Sequence, residues 1–496
     1  MSKTKDRSFS DTILQAVKPG TLFACLLLAV ALPAQAQQER QYPFLVFDPV
    51  GIELPAPAAT AGDLQAAARE LDNLPTADSV SLSRWLRDNT TLQGNGPPPL
   101  TSDIADYERS IQELEATEGP FSVALPQQLL GLGTAHQATG ELDLALQYFE
   151  QASHIMRINY GLFSSEQLPL IERIIENHLL RGDLLAADEQ HNYLLFLQQK
   201  NLGVDSVELL PALNRYGEWN MFAFSSGSWA GSSTGSRVIT VEEATFKIER
   251  LLNAQHIYWS IGEILRKNFG AADPRLPDAE MRLVLTNYLY ATSFASRADI
   301  FSLSEINSRS PLAGNQLQAS PISHMGYRHG KEALERRLEH LQSVSDSSAA
   351  ELAGAALDVA DWMLLFNRQR NKALELYEEI YSDYAQQLEA EELRQLFTPH
   401  YPTRLPLYIN ASYSRATLGI PPEQALKYEG HIDLEFKLSR FGRVTQIQVL
   451  SQSDAVPEIV TERLLRNVRN SQFRPRLQEG ALPDEDLVQA RYYFAY

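Results

Sequence analysis

A 42-residue spacing recurs through this chain and constrains its fold more than any other feature. Gly119, Gly161 and Gly203 stand 42 residues apart. The same step joins Phe121 to Phe163, His136 to His178, Gly140 to Gly182, Ala145 to Ala187, and Leu168-Pro169 to Leu210-Pro211. A fixed period of this size belongs to stacked supersecondary units, none of which buries its apolar face alone. Tyr107, Phe149 and His191 continue the series, so the first unit is predicted to begin upstream of Gly119.

The stretch "LLGLGTAHQATGELDLALQYFEQA" shows what one unit does. Leu129, Leu132 and Gly133 share one face of a first helix, Gly140 allows a tight reversal, and Ala145, Phe149 and Ala152 form the packing face of a second. Small residues at Gly133 and Ala145 let the two helices approach closely. This pattern resembles the tetratricopeptide repeat (TPR), and the 42-residue step is similar to the long variant of kinesin light chains. A later stretch, "ALDVADWMLLFNRQRNKALELYEEIYSDY", matches again, with Ala373, Tyr377 and Ile380 on its second helix. Five or so hairpins are expected within residues 80–392, interrupted by a Gly/Ser-rich linker at 225–236. The resemblance implies an inner wall built from first helices, carrying Gln127, Thr134 and Gln137 in one unit and Glu172, Glu176 and Leu179 in the next.

The 496-residue chain carries a formal charge of −19, which argues against nucleic-acid binding. At the N-terminus, Lys3, Lys5, Arg7 and Lys18 precede the apolar run "TLFACLLLAVAL" and then "PAQAQ". A basic region, a short apolar core and small residues at a cleavage point make residues 1–36 a predicted signal peptide. The alternative is an inner-membrane anchor through residues 21–36, although a spanning helix needs about 20 apolar residues. The only cysteine, Cys25, lies inside that run. Residues 37–79, rich in Pro and Ala, are predicted to form an irregular arm.

Residues 427–496 differ in kind, holding ten basic and ten acidic residues. "GHIDLEFKLSRFGRVTQIQVLS" alternates as a β-hairpin, with Ile432, Leu434, Phe436 and Leu438 on one face and His431, Asp433, Glu435 and Lys437 on a wet one. An amphipathic helix follows, with Asp454 as N-cap, Pro457 in its first turn, and Val456, Val460, Leu464 and Val468 on one face. After the "FRP" of Phe473–Pro475 and the loop beyond it, "QARYYFAY" (Gln489–Tyr496) closes a β-β-α-β order. Gly430, the hairpin Gly442, "FRP", Gly480 and the aromatic last strand together resemble the TonB C-terminal domain, joined to the repeats by a connector at 393–426. The fold class expected is therefore mainly α: a TPR-like α-solenoid followed by a small α+β domain.

That resemblance implies a last strand whose edge takes up an extended peptide by β-augmentation. Arg491, Tyr493 and Ala495 would flank the peptide, while Tyr492, Phe494 and Tyr496 pack inward. Arg463, Arg466, Arg469, Arg474 and Arg476 gather around the helix end. They read as solvated charge balanced by Glu458 and Glu462, or as a site for the acidic helical region or an acidic partner.

No nucleophile elbow, P-loop, dinucleotide fingerprint or HExxH spacing occurs, and His136 and His178 fall at packing positions. No catalytic site, metal or cofactor is expected. The expectation is a periplasmic interaction adaptor of a Gram-negative bacterium, partnered by other cell-envelope proteins. An outer-membrane receptor or its extended peptide is one such partner. A TonB-type energy transducer for outer-membrane receptor-driven transport is the alternative.

Overall fold

The computed structural model describes residues 46–51, 101–225, 241–293, 321–398, 402–407, 428–453, 456–478 and 480–495. The predicted signal peptide, nearly all of the Gly/Ser linker and Tyr496 lie outside these residues. After the first strand, β1 (Val46–Gly51), comes a run of helices. These are α1 (Thr101–Glu118), α2 (Leu125–Ala138), α3 (Leu142–Tyr160), α4 (Leu168–Leu180), α5 (Leu184–Leu202), α6 (Leu210–Ser225) and α7 (Val241–Phe269). Then follow α8 (Leu276–Ser293), α9 (Pro321–Ser343), α10 (Ala349–Leu365), α11 (Arg370–Tyr384) and α12 (Ala390–Phe397). The terminal domain contains β2 (Arg404–Leu405), β3 (Tyr428–Ser439), β4 (Val444–Gln452), α13 (Glu458–Asn470), β5 (Gln472–Phe473) and β6 (Glu485–Ala495).

From α2 to α11 the helices pair consecutively as antiparallel hairpins, and the 42-residue step has a local cause in their turns. Gly140 (φ +83°) and Gly182 (φ +73°) take the left-handed conformation that ends a first helix. The amide of Glu141 donates to His136 O and that of Asp183 to His178 O, both at 2.9 Å. In the last hairpin Asn367 (φ 52°) does the same task, with Arg368 N donating to Met363 O at 3.0 Å. Second helices end in an asparagine that ties down the preceding loop: Asn159 Nδ2 donates to Phe121 O, and Asn201 Nδ2 to Phe163 O, each at 3.0 Å.

Packing follows the small residues. A Cβ at Gly133 would sit 2.5 Å from Phe149 Cε1, so only glycine lets α2 and α3 cross this closely. Leu129, Leu132, Ala145, Phe149 and Ala152 are buried together, as are Ala373, Tyr377 and Ile380 in the larger core. Deep in that core the His191 ring stacks on Trp219, with centroids 4.2 Å apart.

Burial holds the His191 imidazole at a pKa of about 3, with Arg215 adding a smaller push in the same direction. Because the folded pKa lies below the unfolded value of 6.5, the unfolded chain takes up the extra proton. Stability from this group is therefore present above pH 6.5 and lost as pH falls towards 3. Between pH 7 and pH 5 the loss comes to about 2 kcal/mol. Urea unfolding of His191→Phe should show a pH 7-to-5 decline smaller by about that amount; an equal decline in both proteins would refute the assignment.

The terminal sheet has the order β1-β6-β3-β4, antiparallel throughout. Gly442 (φ +66°) turns the β3–β4 hairpin, and Phe473 O lies where its side chain would be. Ile432, Leu434, Phe436 and Leu438 pack on Val460, Leu464 and Val468, with Tyr492 and Phe494 in the same core. Four expectations need correction. Helix α13 begins at Glu458 with Pro457 as its N-cap, too late for Asp454 to cap it. The last strand starts at Glu485 instead of Gln489. Within the arm expected to be irregular, Val46–Gly51 is a strand of the terminal sheet. And the expected wet face is buried at His431 and Asp433.

The terminal domain is also docked on the helices. Arg474 is buried against Asp361 of α10: its Nε donates to Oδ1 at 2.9 Å and its Nη2 to Oδ2 at 2.5 Å. The hydroxyl of Tyr377 donates to Asp361 Oδ1 at 2.5 Å. Arg370 lies over the ring of Phe441, 4.7 Å from its centroid, and Phe441, Leu477 and Leu482 pack on the helical core.

Candidate protein-interaction surfaces

The first surface is the face of the first helices. Of the six residues expected on this wall, Gln127 is exposed and Thr134 half-buried, its hydroxyl donating to Leu130 O at 2.7 Å. Glu172 is half-buried and accepts from Arg215 Nη1 at 2.5 Å. The other three are not available to a ligand: Gln137, Glu176 and Leu179 are 5%, 2% and 4% exposed. The reason is what packs against each position, since Glu176 stands 42 residues after the half-buried Thr134. Leu179 turns into the core shared by the next hairpins, and Glu176 is held against Arg173 Nη1 at 2.9 Å. Burial raises the Glu176 carboxyl above its ordinary range, and the Arg173 contact offsets only part of that.

What the accessible wall presents is a ladder of ion pairs between successive first helices. Glu172 of α4 meets Arg215 of α6, and Glu218 of α6 meets Arg282 of α8 at 3.5 Å. Partly exposed pairs such as these add little stability, but they set an alternating pattern of charge for a polar partner to match. Sequence reasoning missed the ladder although its signal was present: Arg173 and Arg215, and Glu176 and Glu218, are each 42 residues apart.

A second feature is apolar and runs along the loops between hairpins. Phe121, Leu162, Phe163 and Val204 are all more than half exposed, and Phe163 meets Phe196 edge-on at 5.7 Å. The Phe121–Phe163 step was visible in the sequence, but periodicity alone does not tell a packing residue from one that repeats on the outside.

The third surface is the terminal sheet. The last strand is not an open edge. Its residues Ala490–Ala495 pair with β1, while β3 pairs along its other side. Arg491 and Tyr493, expected to flank a captured peptide, are 5% and 7% exposed. The Arg491 guanidinium clasps Asp433, with Nε to Oδ1 at 2.7 Å and Nη2 to Oδ2 at 3.0 Å, and Ser451 Oγ donates to Oδ2 at 2.6 Å. Burial by itself would raise the Asp433 carboxyl, but hydrogen bonds from Arg491 and Ser451 outweigh it and hold the group below its usual range. Ala495 stands opposite Val46 on one side and Tyr428 on the other.

The arginine cluster divides. Arg474 is the interdomain contact described above and Arg476 pairs with Asp486 at 2.8 Å, so neither is solvated helix charge. Arg463 and Arg466 line a shallow cleft with Arg404, Asn467, Asn470 and Ser471, and Arg469 is exposed. Among the described residues no group of His, Cys, Asp or Glu is arranged to hold a metal ion. None of the described helices is long and apolar enough to cross a membrane.

Together these features define a protein of stacked helical hairpins, with a small α+β domain docked on its last hairpin. No family model matches the chain, and no curated protein does. Among solved structures it is similar to a Podosopora anserina protein of nearly identical TPR-like repeats. The identity is 13%, over 53% of this chain and 97% of that one, with a TM-score of 0.29. BtubC (BKLC) from P. vanneervenii is similar at 14% identity, over 58% of this chain and 91% of that one, with a TM-score of 0.25. The description as a repeat protein rests on the hairpins themselves.

Proposed function

We infer that this is an exported, periplasmic protein–protein interaction adaptor. The wall of first helices holds one partner, and the terminal domain, resembling the TonB C-terminal domain, captures an extended segment of another by β-augmentation. The observation that carries this reading is the pairing of β1 with β6: the outer edge of the last strand accepts an added strand from a remote part of the chain. The ion pairs linking α4, α6 and α8 support the other half, because they leave a partly exposed polar surface. The signal peptide predicted from the sequence supports a working site beyond the inner membrane.

The test is a crosslinking pull-down from envelope fractions with the full chain and with Arg215→Glu/Glu218→Lys. The double variant should lose one set of partners, retain those bound through the terminal domain, and keep its helical circular dichroism. Protein purified from the periplasm should begin near Gln37. Identical partners for both proteins, or an intact N-terminus in the membrane fraction, would refute the reading.

A further inference from the structure

Where the tip of the β3–β4 hairpin meets the start of α11, cations gather without a counter-charge. Arg370 and Lys372 lie in the first turn of α11, and Arg440 and Arg443 flank Phe441–Gly442 at the hairpin turn. The Arg370 guanidinium lies 4.7 Å from the centroid of the Phe441 ring, and that of Arg440 lies 5.7 Å from it. Among the described residues none of these four cations forms an ion pair, although the chain has 62 Asp and Glu against 43 Lys and Arg.

Two features make this arrangement unfavourable by itself. Arg443 is half-buried, and its desolvation, joined by the charge of Arg370, pushes its guanidinium below the ordinary range. No carboxylate offsets either effect. Cations in the first turn of a helix also oppose its dipole, whose positive end favours anions. Helix α11 has no acidic residue in that turn, and its N-cap, Gln369, supplies no side-chain acceptor. The junction is nevertheless firmly built. Gln472 Nε2 donates to Phe441 O at 2.6 Å, Gly442 N to Ser439 O at 2.7 Å, and Arg440 N to Asp484 O at 2.9 Å. A ligand arriving here has little backbone to order.

We propose that an oxyanion of the phosphate class binds between Arg443 of the hairpin and Arg370 of α11, bridging the terminal domain to the last helical hairpin. A guanidinium presents paired N–H donors that match two oxygens of one anion. A carboxylate is used up by one such fork, whereas a phosphate group has oxygens for two arginines and for the amides at a helix start. Lys372 and Arg440 add charge at the rim. Because the two arginines come from different domains, an anion held by both binds the docked state and strengthens it. Free phosphate and a phospholipid headgroup offer the same chemistry.

The experiment uses the full chain, Arg443→Met and Arg370→Met, each of which keeps an apolar stem and removes the charge. Arg370 is exposed, so its variant is the structurally milder of the two. The probes are sodium phosphate, compared with sodium chloride at equal ionic strength, and phosphatidylglycerol vesicles. In titration calorimetry each variant should bind phosphate about ten-fold more weakly than wild type, or worse. Phosphate should raise the melting temperature of wild type and add hydrogen-exchange protection at 439–443 and 370–373. Without phosphate, Arg443→Met should melt at the wild-type temperature or above it, because it loses a half-buried charge that has no counter-ion.

Vesicle binding that both variants lose would uphold the site and assign the phosphate to a lipid headgroup. Phosphate binding with no affinity for vesicles would uphold it with a soluble ligand. An equal phosphate response in all three proteins would overturn the proposal, since the effect would then be one of bulk salt. So would new protection at 463–471 in place of 439–443, which would put the anion in the cleft of Arg463 and Arg466. Arg443→Met that melts lower than wild type without phosphate, and gains as much from phosphate, would also overturn it and make Arg443 a structural residue.

Discussion

Arg474→Ala is expected to lower stability by about 3–5 kcal/mol and to release the terminal domain from the last helical hairpin. The side chains of Arg474 and Asp361 are 2% and 9% exposed. Arg474 also donates to the carbonyl of Leu396 at 2.5 Å, and its backbone amide to Thr403 O at 2.8 Å. Truncation would leave the Asp361 carboxylate buried with only the Tyr377 hydroxyl as donor, and it is the abandoned charge that sets the cost. The pair itself need not be strongly stabilising: Asp361→Leu/Arg474→Met should recover most of the loss. Urea unfolding measures the first effect, and limited proteolysis between residues 398 and 428 reports undocking. A loss below 1 kcal/mol for Arg474→Ala, about the ceiling for an exposed pair, would show that the contact is solvated and not a dock.

Trp362→Ala should cost a similar amount, about 3–5 kcal/mol, by opening a cavity where α9 and α10 cross. Trp362 is fully buried, its indole N–H donates to Tyr327 O at 2.8 Å, and its ring lies 4.7 Å from that of Phe366. It passes so close to α9 that a Cβ on Gly330 would sit 2.1 Å from Cζ2. Gly330→Leu alone should therefore destabilise by about 1–3 kcal/mol through overpacking. Combined with Trp362→Ala, the leucine enters the cavity, so the double variant should be more stable than the sum of the two losses predicts. Strict additivity in thermal unfolding would contradict this crossing geometry.

The helical part was largely legible because its determinants are local. Glycine at a helix end, alanine and phenylalanine at fixed offsets, and the 42-residue step all act within one hairpin or between neighbours. The wall residues were less legible. Thr134, Gln137, Glu172, Glu176 and Leu179 lie on first helices at similar phase, yet burial differs with what the next hairpin places against them. Reading the wall as pairs at the repeat spacing, Arg173 with Arg215 and Glu176 with Glu218, would have come nearer to the observed ladder.

The terminal domain divides in the same way. Its hairpin, helix and aromatic last strand were readable from alternation, a positive-φ glycine and an apolar stripe, each encoded in adjacent residues. The open edge predicted for "QARYYFAY" was not what folded, because alternation tells which face a side chain takes and says nothing about what pairs with the backbone.

By its own sequence, then, this chain determines a stacked helical array and a small β-β-α-β unit, since helix period, strand alternation and turn chemistry are short-range physics. Only the tertiary structure decided that Val46–Gly51 caps the last strand and that Arg474 is an interior anchor. Backbone hydrogen bonds between strands are nearly blind to residue type, and an arginine looks the same in sequence whether water or a buried aspartate receives it.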